Sequence, residues 1–470
     1  MSSGAFEDYE NRAYRRAGQE RPHRIRESPC PGLFRIVPAR DGGICRIKCP
    51  RGRLSVSQAY KVAEAASRFG NGIIEVTNRA NLQLRGIGAS NGQDQASLID
   101  FLLSAGLGPT VADADDVRNV MISPTSGLDR QEIIDCTDLA AQVLTLLEET
   151  PRYHELSPKF SILLDGGGRA AVIDHPHDLW LSAFQDRQHV LFALGFAGCP
   201  SFCETEPKPL FAVAADYVVP TIAAALDLFL EIAADQPKIR RFRHILSFLP
   251  FETLIARLAN RLSFPFIEIG EWCRSAPAQR GPIGCCEQKQ AGCFMIGAMP
   301  PLGRLSPDML RGLADMAEQV NEEGDGFRLT PWQSILLPNI RQSRCSEIEA
   351  RLSALGLLCD PETVLAGVVA CSGTAGCASA QSDTKADAYR LSSLLAGRCR
   401  PFSIHMTGCP KSCASARRTD VTLLAVGMQH YHIFERRLQS AADWDHPIAT
   451  NLSLEQITDW MAGRFPILSL

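Results

Sequence analysis

Cys371-Ser372-Gly373-Thr374-Ala375-Gly376-Cys377 and Cys409-Pro410-Lys411-Ser412-Cys413 carry the decisive pattern of this chain. The first pair is spaced C-x5-C and the second C-x3-C, with 31 residues between them. Thiolates bind soft metals and iron–sulfur clusters, and a 4Fe-4S cube takes one thiolate at each of its four corners. Gly373, Gly376 and Gly408 let the backbone wrap closely around a bulky group. Structural zinc sites keep two to four residues between paired cysteines, so the five-residue gap fits zinc poorly. Four unrelated core cysteines are the plain alternative. The paired spacing favours a cluster ligated by Cys371, Cys377, Cys409 and Cys413.

Outward from these cysteines, the chain repeats itself. Gly52-Arg53-Leu54-Ser55 recurs as Gly303-Arg304-Leu305-Ser306, 251 residues later. Each copy leads into a helical stretch, a turn and a strand-like run, Val76 to Ile87 and Leu329 to Ile340. Thr77 and Thr330 are 253 residues apart, so the register holds within two residues. Ser55 and Ser306 are placed as helix N-caps; Gln58 completes a capping box, and Pro307 suits a first helical turn. Farther on, the stretch Asp116 to Ser123 aligns with Val364 to Cys371, and Lys159 to Ile162 aligns with Pro401 to Ile404. Basic residues thus occupy half one where the cysteines occupy half two. One site shared between two degenerate copies leaves that asymmetry.

The organisation expected is α/β (α+β): a tail over 1–27, a small strand–helix–strand unit over 28–95 and a larger α/β unit over 96–284. Second copies follow over 285–345 and 346–470, and 271–293 reads as a link between the halves.

With 470 residues, 45% hydrophobic and 21% charged, the chain has surface for about three domains with their own cores. A net charge of −4 gives no overall reason to expect nucleic acid or an anionic membrane as partner. Residues 1–27 are polar and Arg-rich without an apolar segment, and read as a solvated tail and not a signal peptide. The stretch 218–234 carries Asp227 and Glu231 at helical spacing, which predicts an amphipathic helix and no membrane span. Seventeen cysteines, an odd number without a secretion signal, point to reduced thiols in the cytoplasm.

Alternation over 79–85 places Arg79, Asn81, Gln83 and Arg85 on one strand face, with Ala80, Leu82 and Leu84 on the other. A solvated face is the ordinary explanation. Company shifts the balance: Arg46 and Lys48 alternate on a neighbouring run, Arg118 ends another and Lys159 starts a fourth. The run 329–337 of the second copy carries no charge after Leu329. A cationic patch confined to one half suggests an anionic ligand held by charge-assisted hydrogen bonds.

The cysteine set, Thr77-Asn78-Arg79 with Gln83, Arg118-Asn119-Val120 and Lys159 together resemble the nitrite/sulfite reductase superfamily, over about residues 28–440. The resemblance implies two ferredoxin-like half-domains and two larger α/β domains around a pseudo-twofold axis, with a 4Fe-4S cluster beside a tetrapyrrole. Lys48, Arg79, Arg118 and Lys159 would then face the ring and its distal ligand. One departure matters. Sulfite reductases place a second lysine two residues after the first, and here that residue is Ser161; Lys48 stands where an arginine is usual. Losing cations weakens a six-electron oxyanion reduction, which needs protons and charge neutralisation.

Cys30 to Phe34, Gly42 to Ile47, Thr77 to Gly86 and His177 to Leu181 are more similar to one branch, the precorrin-3B synthases of aerobic cobalamin biosynthesis. That likeness turns the ring from cofactor into substrate. It implies precorrin-3A and O2 as substrates, hydroxylation at C20 and closure of a ring-A γ-lactone. Arg46, Lys48, Arg79, Gln83, Arg85 and Arg118 would bind the ring, with Lys159 and Arg118 at the reacting edge. It also implies a mononuclear non-haem iron, and NADH as an indirect electron source through a separate reductase, since no GxGxxG unit is evident. Candidate iron ligands are His175, His177 and Asp178, or His430, His432 and Glu435, each more simply read as surface or core residues. A sirohaem-dependent sulfite or nitrite reductase is the alternative activity.

Other cysteines are read as structural. Cys199 and Cys203 mimic C-x3-C without a C-x5-C partner; Cys285, Cys286 and Cys293 have no neighbouring histidine; Cys30, Cys45 and Cys49 are read as structural. Lys411 lies inside the last cysteine loop, where its charge would tune a cluster or face solvent.

Overall fold

The computed structural model describes residues 28, 30–88, 95–173, 175–200, 211–269, 272–274, 281–320, 326–415, 417, 419–435 and 446–467. The segment 1–27 and Cys203 lie outside them.

Each Gly-Arg-Leu-Ser repeat leaves its own half and joins the other. One five-stranded sheet runs β1 (Val37–Ala39), β2 (Gly42–Ile47), β5 (Leu82–Ile87), β4 (Ile74–Val76) and finally β14 (Arg304–Leu305). The other runs β12 (Gly284–Glu287), β13 (Cys293–Ala298), β16 (Ile335–Arg341), β15 (Phe327–Leu329) and finally β3 (Arg53–Leu54). Leu305 pairs with Ile74, and Leu54 pairs with Phe327. Tight turns launch both exchanged strands, with Arg51 and Gly52 at φ 59° and 67°, and Leu302 and Gly303 at 52° and 72°. A Cβ on Gly52 would stand 2.6 Å from the Leu329 carbonyl oxygen, so that position needs glycine both for its left-handed backbone and for space.

Ser55 forms the expected capping box with Gln58 at the head of helix Val56–Phe69. Ser306 Oγ accepts from Met309 N at 3.1 Å at the head of Pro307–Val320. These two helices pack on each other. Leu54, Ala63 and Leu82 of one half share a single core with Leu305, Leu313 and Phe327 of the other. Burial at roughly 25 cal/mol per Å² of apolar surface makes this joint core the main force locking the halves together.

The run Val76 to Ile87 is not one strand. Thr77 Oγ1 accepts from Arg79 N (3.3 Å) and Asn81 N (3.1 Å), turning the chain into a hairpin between β4 and β5, with Ala80 at φ 52°. Thr330 Oγ1 repeats this with Trp332 N and Ser334 N, both at 3.2 Å. Arg79 and Asn81 therefore sit on a turn, and do not share a strand face with Gln83 and Arg85.

The larger domains repeat one topology. In the first, β6 (Val120–Ile122), β7 (Ile162–Asp165) and β8 (His177–Asp186) are parallel, followed antiparallel by β9 (His189–Gly198), β10 (Phe211–Ala214) and β11 (Ile267–Glu268). In the second, β17 (Val368–Ala370), β18 (Ile404–Thr407) and β19 (Val421–Gly427) are parallel, followed by β20 (His430–Glu435) and β21 (Ala449–Ser453). Ser161 N donates to Asp178 Oδ2 (3.0 Å) as Ser403 N donates to Asp420 Oδ2 (2.8 Å), so even this strand-end device is duplicated. Together the four sheets form a mixed α and β fold with two ferredoxin-like half-domains and two larger domains about a pseudo-twofold axis.

Helix Val218–Ala233 covers the first large sheet with its apolar face, and no helix among the described residues is long and apolar enough to cross a membrane.

Candidate cluster site and cationic cleft

β17 and β18 end side by side, and the loops that follow them carry the four cysteines. Parallel pairing of neighbouring strands places successive loops at one sheet edge, which brings residues far apart in sequence to one place. Burial, then Cys409, Cys371 and Cys377, push the Cys413 thiol above its ordinary value, so the four sulfurs act on one another. Cys371 Sγ receives the Gly408 N–H at 3.2 Å and lies 3.3 Å from Thr384 Oγ1. A Cβ on Gly408 would stand 2.6 Å from Ala380 Cβ and 3.5 Å from that sulfur, so the loop is shaped around the thiols. No group of three or more His, Cys, Asp or Glu among the described residues is placed to hold a single metal ion. Four soft thiol donors on two loops at one sheet edge, one of them receiving an N–H, fit a 4Fe-4S cube.

The cysteine loops dock on the first half-domain. Arg85 Nη2 donates to the Gly376 carbonyl at 3.2 Å, Arg40 Nη1 to the Thr374 carbonyl at 3.1 Å, and Asn78 Nδ2 to the Ala414 carbonyl at 3.4 Å. Lys385, buried just behind Cys371, donates to the Leu302 and Ala370 carbonyls at 2.7 and 3.2 Å.

Arg79, next in the chain to Asn78, opens the second part of the site. With Arg51 and Arg118 it lines a cleft floored by Cys49, Met121 and Leu329. Lys48 is buried and donates to the Asp115 carbonyl. Burial pulls its amine down to about 8, against the pull of Asp115 and Asp116. Arg46 is lowered by burial too, and Gln83 Oε1, with its amide turned to suit its donors, accepts from Arg46 Nη2 (2.6 Å) and Nε (3.1 Å). Arg118 Nε lies 2.8 Å from Glu148 Oε1 but out of hydrogen-bond alignment, and its Nη1 has no partner among the described residues. Asp115 and Asp116 are themselves engaged: Leu33 N donates to Asp115 Oδ2 (2.8 Å), and Arg35 grips Asp116 bidentately (2.8 and 2.6 Å).

Arg79 is the outlier. It makes no side-chain hydrogen bond or ion pair among the described residues. Desolvation first, then the charges of Arg241 and Arg46, pull its guanidinium down to about 10, with Asp178 opposing. A half-buried cation in a cleft, without a counter-ion among the described residues, suits an anion.

The other expected site residues sort differently. Arg85 has its donors committed: Nε and Nη2 to Asp41 (2.7 and 2.8 Å), Nη1 to Glu75 (3.3 Å) and Nη2 to Gly376. It is buried as a brace between half-domain and cysteine loop and offers nothing to a ring. Lys159 is exposed before β7 and is not part of the cleft lining. Asp178 accepts from Arg241 Nε at 2.7 Å, Phe242 N at 3.0 Å and Ser161 N at 3.0 Å, so it has no oxygen left for an iron beside His175 and His177. Along β20, His430 and His432 share one face, while Glu435 falls on the other and pairs with Arg464 Nε at 2.8 Å. Neither histidine–carboxylate trio is assembled. Cys45 and Cys49 belong to the joint core, and the sixteen described cysteines are all free of disulfides.

Two cations of the site escaped the sequence reading. Arg241 lies 63 residues from its partner Asp178 and carries no local signal. Arg51 stands where the second copy has Leu302, an asymmetry the Gly-Arg-Leu-Ser register exposes.

Comparison with known proteins agrees with this architecture. The family described as nitrite/sulfite reductase ferredoxin-like half domain matches residues 37–94 and 287–355. The nitrite and sulphite reductase 4Fe-4S domain matches 113–266, the first large domain, whose topology the cysteine-bearing second copy repeats. The chain is 29% identical over 401 residues to the chloroplastic ferredoxin–nitrite reductase of Zea mays, covering 80% of this chain and 68% of that one. It is 29% identical over 432 residues to the ferredoxin–nitrite reductase of Synechococcus elongatus (86% and 80% covered). It is 26% identical over 412 residues to a precorrin-3B synthase of Sinorhizobium sp (85% and 81% covered). The structure of the Mycobacterium tuberculosis NirA protein superposes with a TM-score of 0.71 at 19% identity, over 89% of this chain and 79% of that one, which speaks for the fold. With both ferredoxin-like half-domains and the first large domain matched, the chain belongs to the nitrite/sulfite reductase superfamily.

Proposed function

We propose that the protein is a precorrin-3B synthase, an O2-dependent monooxygenase that takes an anionic tetrapyrrole as substrate. The observation that carries this reading is Arg79, a half-buried cation that lines the cleft and has no ion-pair partner among the described residues. Arg51 and Arg118 line the same cleft, with Lys48 buried between Arg46 and Arg118 behind it, and a ring bearing carboxylates supplies negative charge there. Ser161 supports the choice of chemistry. It is buried with its Oγ unpartnered among the described residues, where sulfite reductases carry a second lysine. A neutral hydroxyl there suits a carbon-ring substrate better than repeated protonation of a small oxyanion.

In the proposed reaction one oxygen atom of O2 enters precorrin-3A at C20 and the other leaves as water, with two electrons and two protons consumed. The ring-A acetate then closes the γ-lactone. The 4Fe-4S cluster, held by Cys371, Cys377, Cys409 and Cys413, supplies single electrons when bound. Arg46, Lys48, Arg79 and Arg118 bind and orient the ring, and Lys159 reaches its edge from outside. A separate NADH-linked reductase is the electron source, and a mononuclear iron would need ligands other than the two trios above. The free cysteines suit a reducing, cytoplasmic setting.

A second reading has its own support. Several relatives at 29% identity are ferredoxin–nitrite reductases, above the 26% of the synthase, and such an enzyme here would hold sirohaem as cofactor. Anaerobic purification with assays of iron, sulfide and extractable tetrapyrrole separates the two. Cluster iron and sulfide without sirohaem support the synthase; one sirohaem per chain replaces it with the reductase.

A further inference from the structure

Helix Thr384–Leu395 carries a lysine where its own backbone disfavours one. Asp383 caps the helix by accepting from Ala386 N at 3.3 Å, so Lys385 lies in the first turn, at the positive end of the helix dipole. The residue is also buried, with 5% of its surface exposed. Its ammonium donates to the Leu302 carbonyl at 2.7 Å and, at 3.2 Å, to the Ala370 carbonyl that immediately precedes Cys371. The helix end itself touches that cysteine. Thr384 Oγ1 donates to the Cys371 carbonyl at 2.8 Å and lies 3.3 Å from its Sγ.

The nearest carboxylate does not answer this charge alone. Glu75 Oε1 is 3.9 Å from Lys385 Nζ and 3.1 Å from Arg304 Nε, and Glu75 Oε2 is 3.3 Å from Arg85 Nη1. Asp41 adds a second carboxylate, 2.7 Å from Arg85 Nε, so within this contact set Glu75 and Asp41 face Lys385, Arg85 and Arg304. Asp387, two residues along the helix and so on another face, is taken by Ser382 Oγ and Tyr431 OH. The first copy lacks the arrangement: its helix Thr137–Glu149 also opens on a threonine, but the next residue is the exposed Asp138. The buried cation accompanies the thiols and not the fold. A cube held by four thiolates is anionic and gains further negative charge on reduction, and a nearby buried cation favours the more negative state. We propose that Lys385, acting through Cys371, raises the reduction potential of the cluster, with Glu75 of the first half as its opposing charge, and so sets how readily an electron donor fills it. The proposal rests on the four cysteines as cluster ligands and not on which substrate the cleft takes.

The test is the midpoint potential of the cluster-loaded full chain, followed by electron paramagnetic resonance in redox titrations of wild type, Lys385→Gln and Glu75→Gln, with iron and sulfide assayed in each. Lys385→Gln keeps an N–H for the two carbonyls and removes the charge. It is expected to make reduction about tenfold less favourable, a fall of about 59 mV for a one-electron couple. Glu75→Gln removes the opposing charge and is expected to move the potential upward. Opposite shifts at unchanged iron content identify charge as the cause, since a loosened cysteine loop would move both variants the same way. If Lys385→Gln does not load a cluster, Glu75→Gln decides alone: an upward shift supports the assignment, and no shift or a downward one overturns it. Shifts of one sign in both variants, or none in either, overturn the role of Lys385 and leave the cysteine ligands standing. A wild-type chain that takes up no iron and sulfide overturns both.

Discussion

Arg85 Nη2 holds the Gly376 carbonyl at 3.2 Å, so an arginine of the first half-domain fixes the residue before Cys377 in the second copy. The same guanidinium is gripped by Asp41 and Glu75, which leaves it no freedom to move. Seven residues earlier in the chain, Asn78 reaches the Ala414 carbonyl beside Cys413. The hairpin that carries Arg79 into the cleft is therefore also the platform for the cysteine loops. The cationic cleft and the four cysteines share one rigid support.

Gly376→Ala places a methyl 2.4 Å from Arg85 Nη2, which the two carboxylates hold in place. Loss of that charge-assisted bond and displacement of the loop should cost about 1–3 kcal/mol. Iron and sulfide content should fall well below wild type, while far-ultraviolet circular dichroism stays the same.

Gly52→Ala tests the strand exchange. The residue has φ 67° and its Cβ would meet the Leu329 carbonyl at 2.6 Å, backbone against backbone. A left-handed alanine plus that clash predicts destabilisation of roughly 1–3 kcal/mol, read as a lower urea midpoint of the whole unit and not of one half.

These two glycines show what the sequence discloses and what it withholds. The Gly-Arg-Leu-Ser register, the Ser55 cap and the paired cysteines are local patterns, legible because caps, turns and ligand spacings are written within a few residues. The crossing of β3 and β14 is not, since two-residue strands carry no periodicity and nothing local says which sheet they join. Alternation grouped Arg79 with Arg85, yet the Thr77 hydroxyl folds the run into a hairpin, and Asp41 and Glu75 claim Arg85. Asp178 illustrates the same limit. Beside two histidines it reads as a ligand, and its partner Arg241 becomes visible only in three dimensions.

Asp178→Asn should therefore behave as a structural lesion. Arg241 is left without its counter-charge, and breaking a buried pair costs about 3–5 kcal/mol. The thermal midpoint should drop sharply, and iron per cluster-loaded chain should remain as in wild type. Loss of one iron without loss of stability would restore the trio as a metal site.

Lys48 predicts opposite pH trends for stability and binding. Its amine is lowered from 10.5 to about 8, so between these values the unfolded chain holds more protons than the folded one. Stability contributed by this group therefore rises with pH across that window. Ring affinity should fall over the same range, because a positive charge buried next to Arg118 of the cleft is lost above about 8. Lys385, also lowered to about 8 by burial, adds to the stability trend but lies outside the cleft. Lys48→Met should flatten the affinity profile and only reduce the stability slope.

Arg79→Ala should lower uroporphyrin affinity about 10- to 100-fold, while the visible absorption of the cluster persists. Equal affinity in the variant would remove Arg79 from the binding site.

The most direct measurement is turnover of precorrin-3A by the cluster-loaded protein under labelled O2, with an NADH-linked reductase as donor and mass analysis of the ring. The account predicts a product that has gained one oxygen atom carrying the label, and no ammonium from added nitrite. A ring unchanged in mass, with sirohaem bound to the protein and nitrite reduced to ammonium, would contradict it.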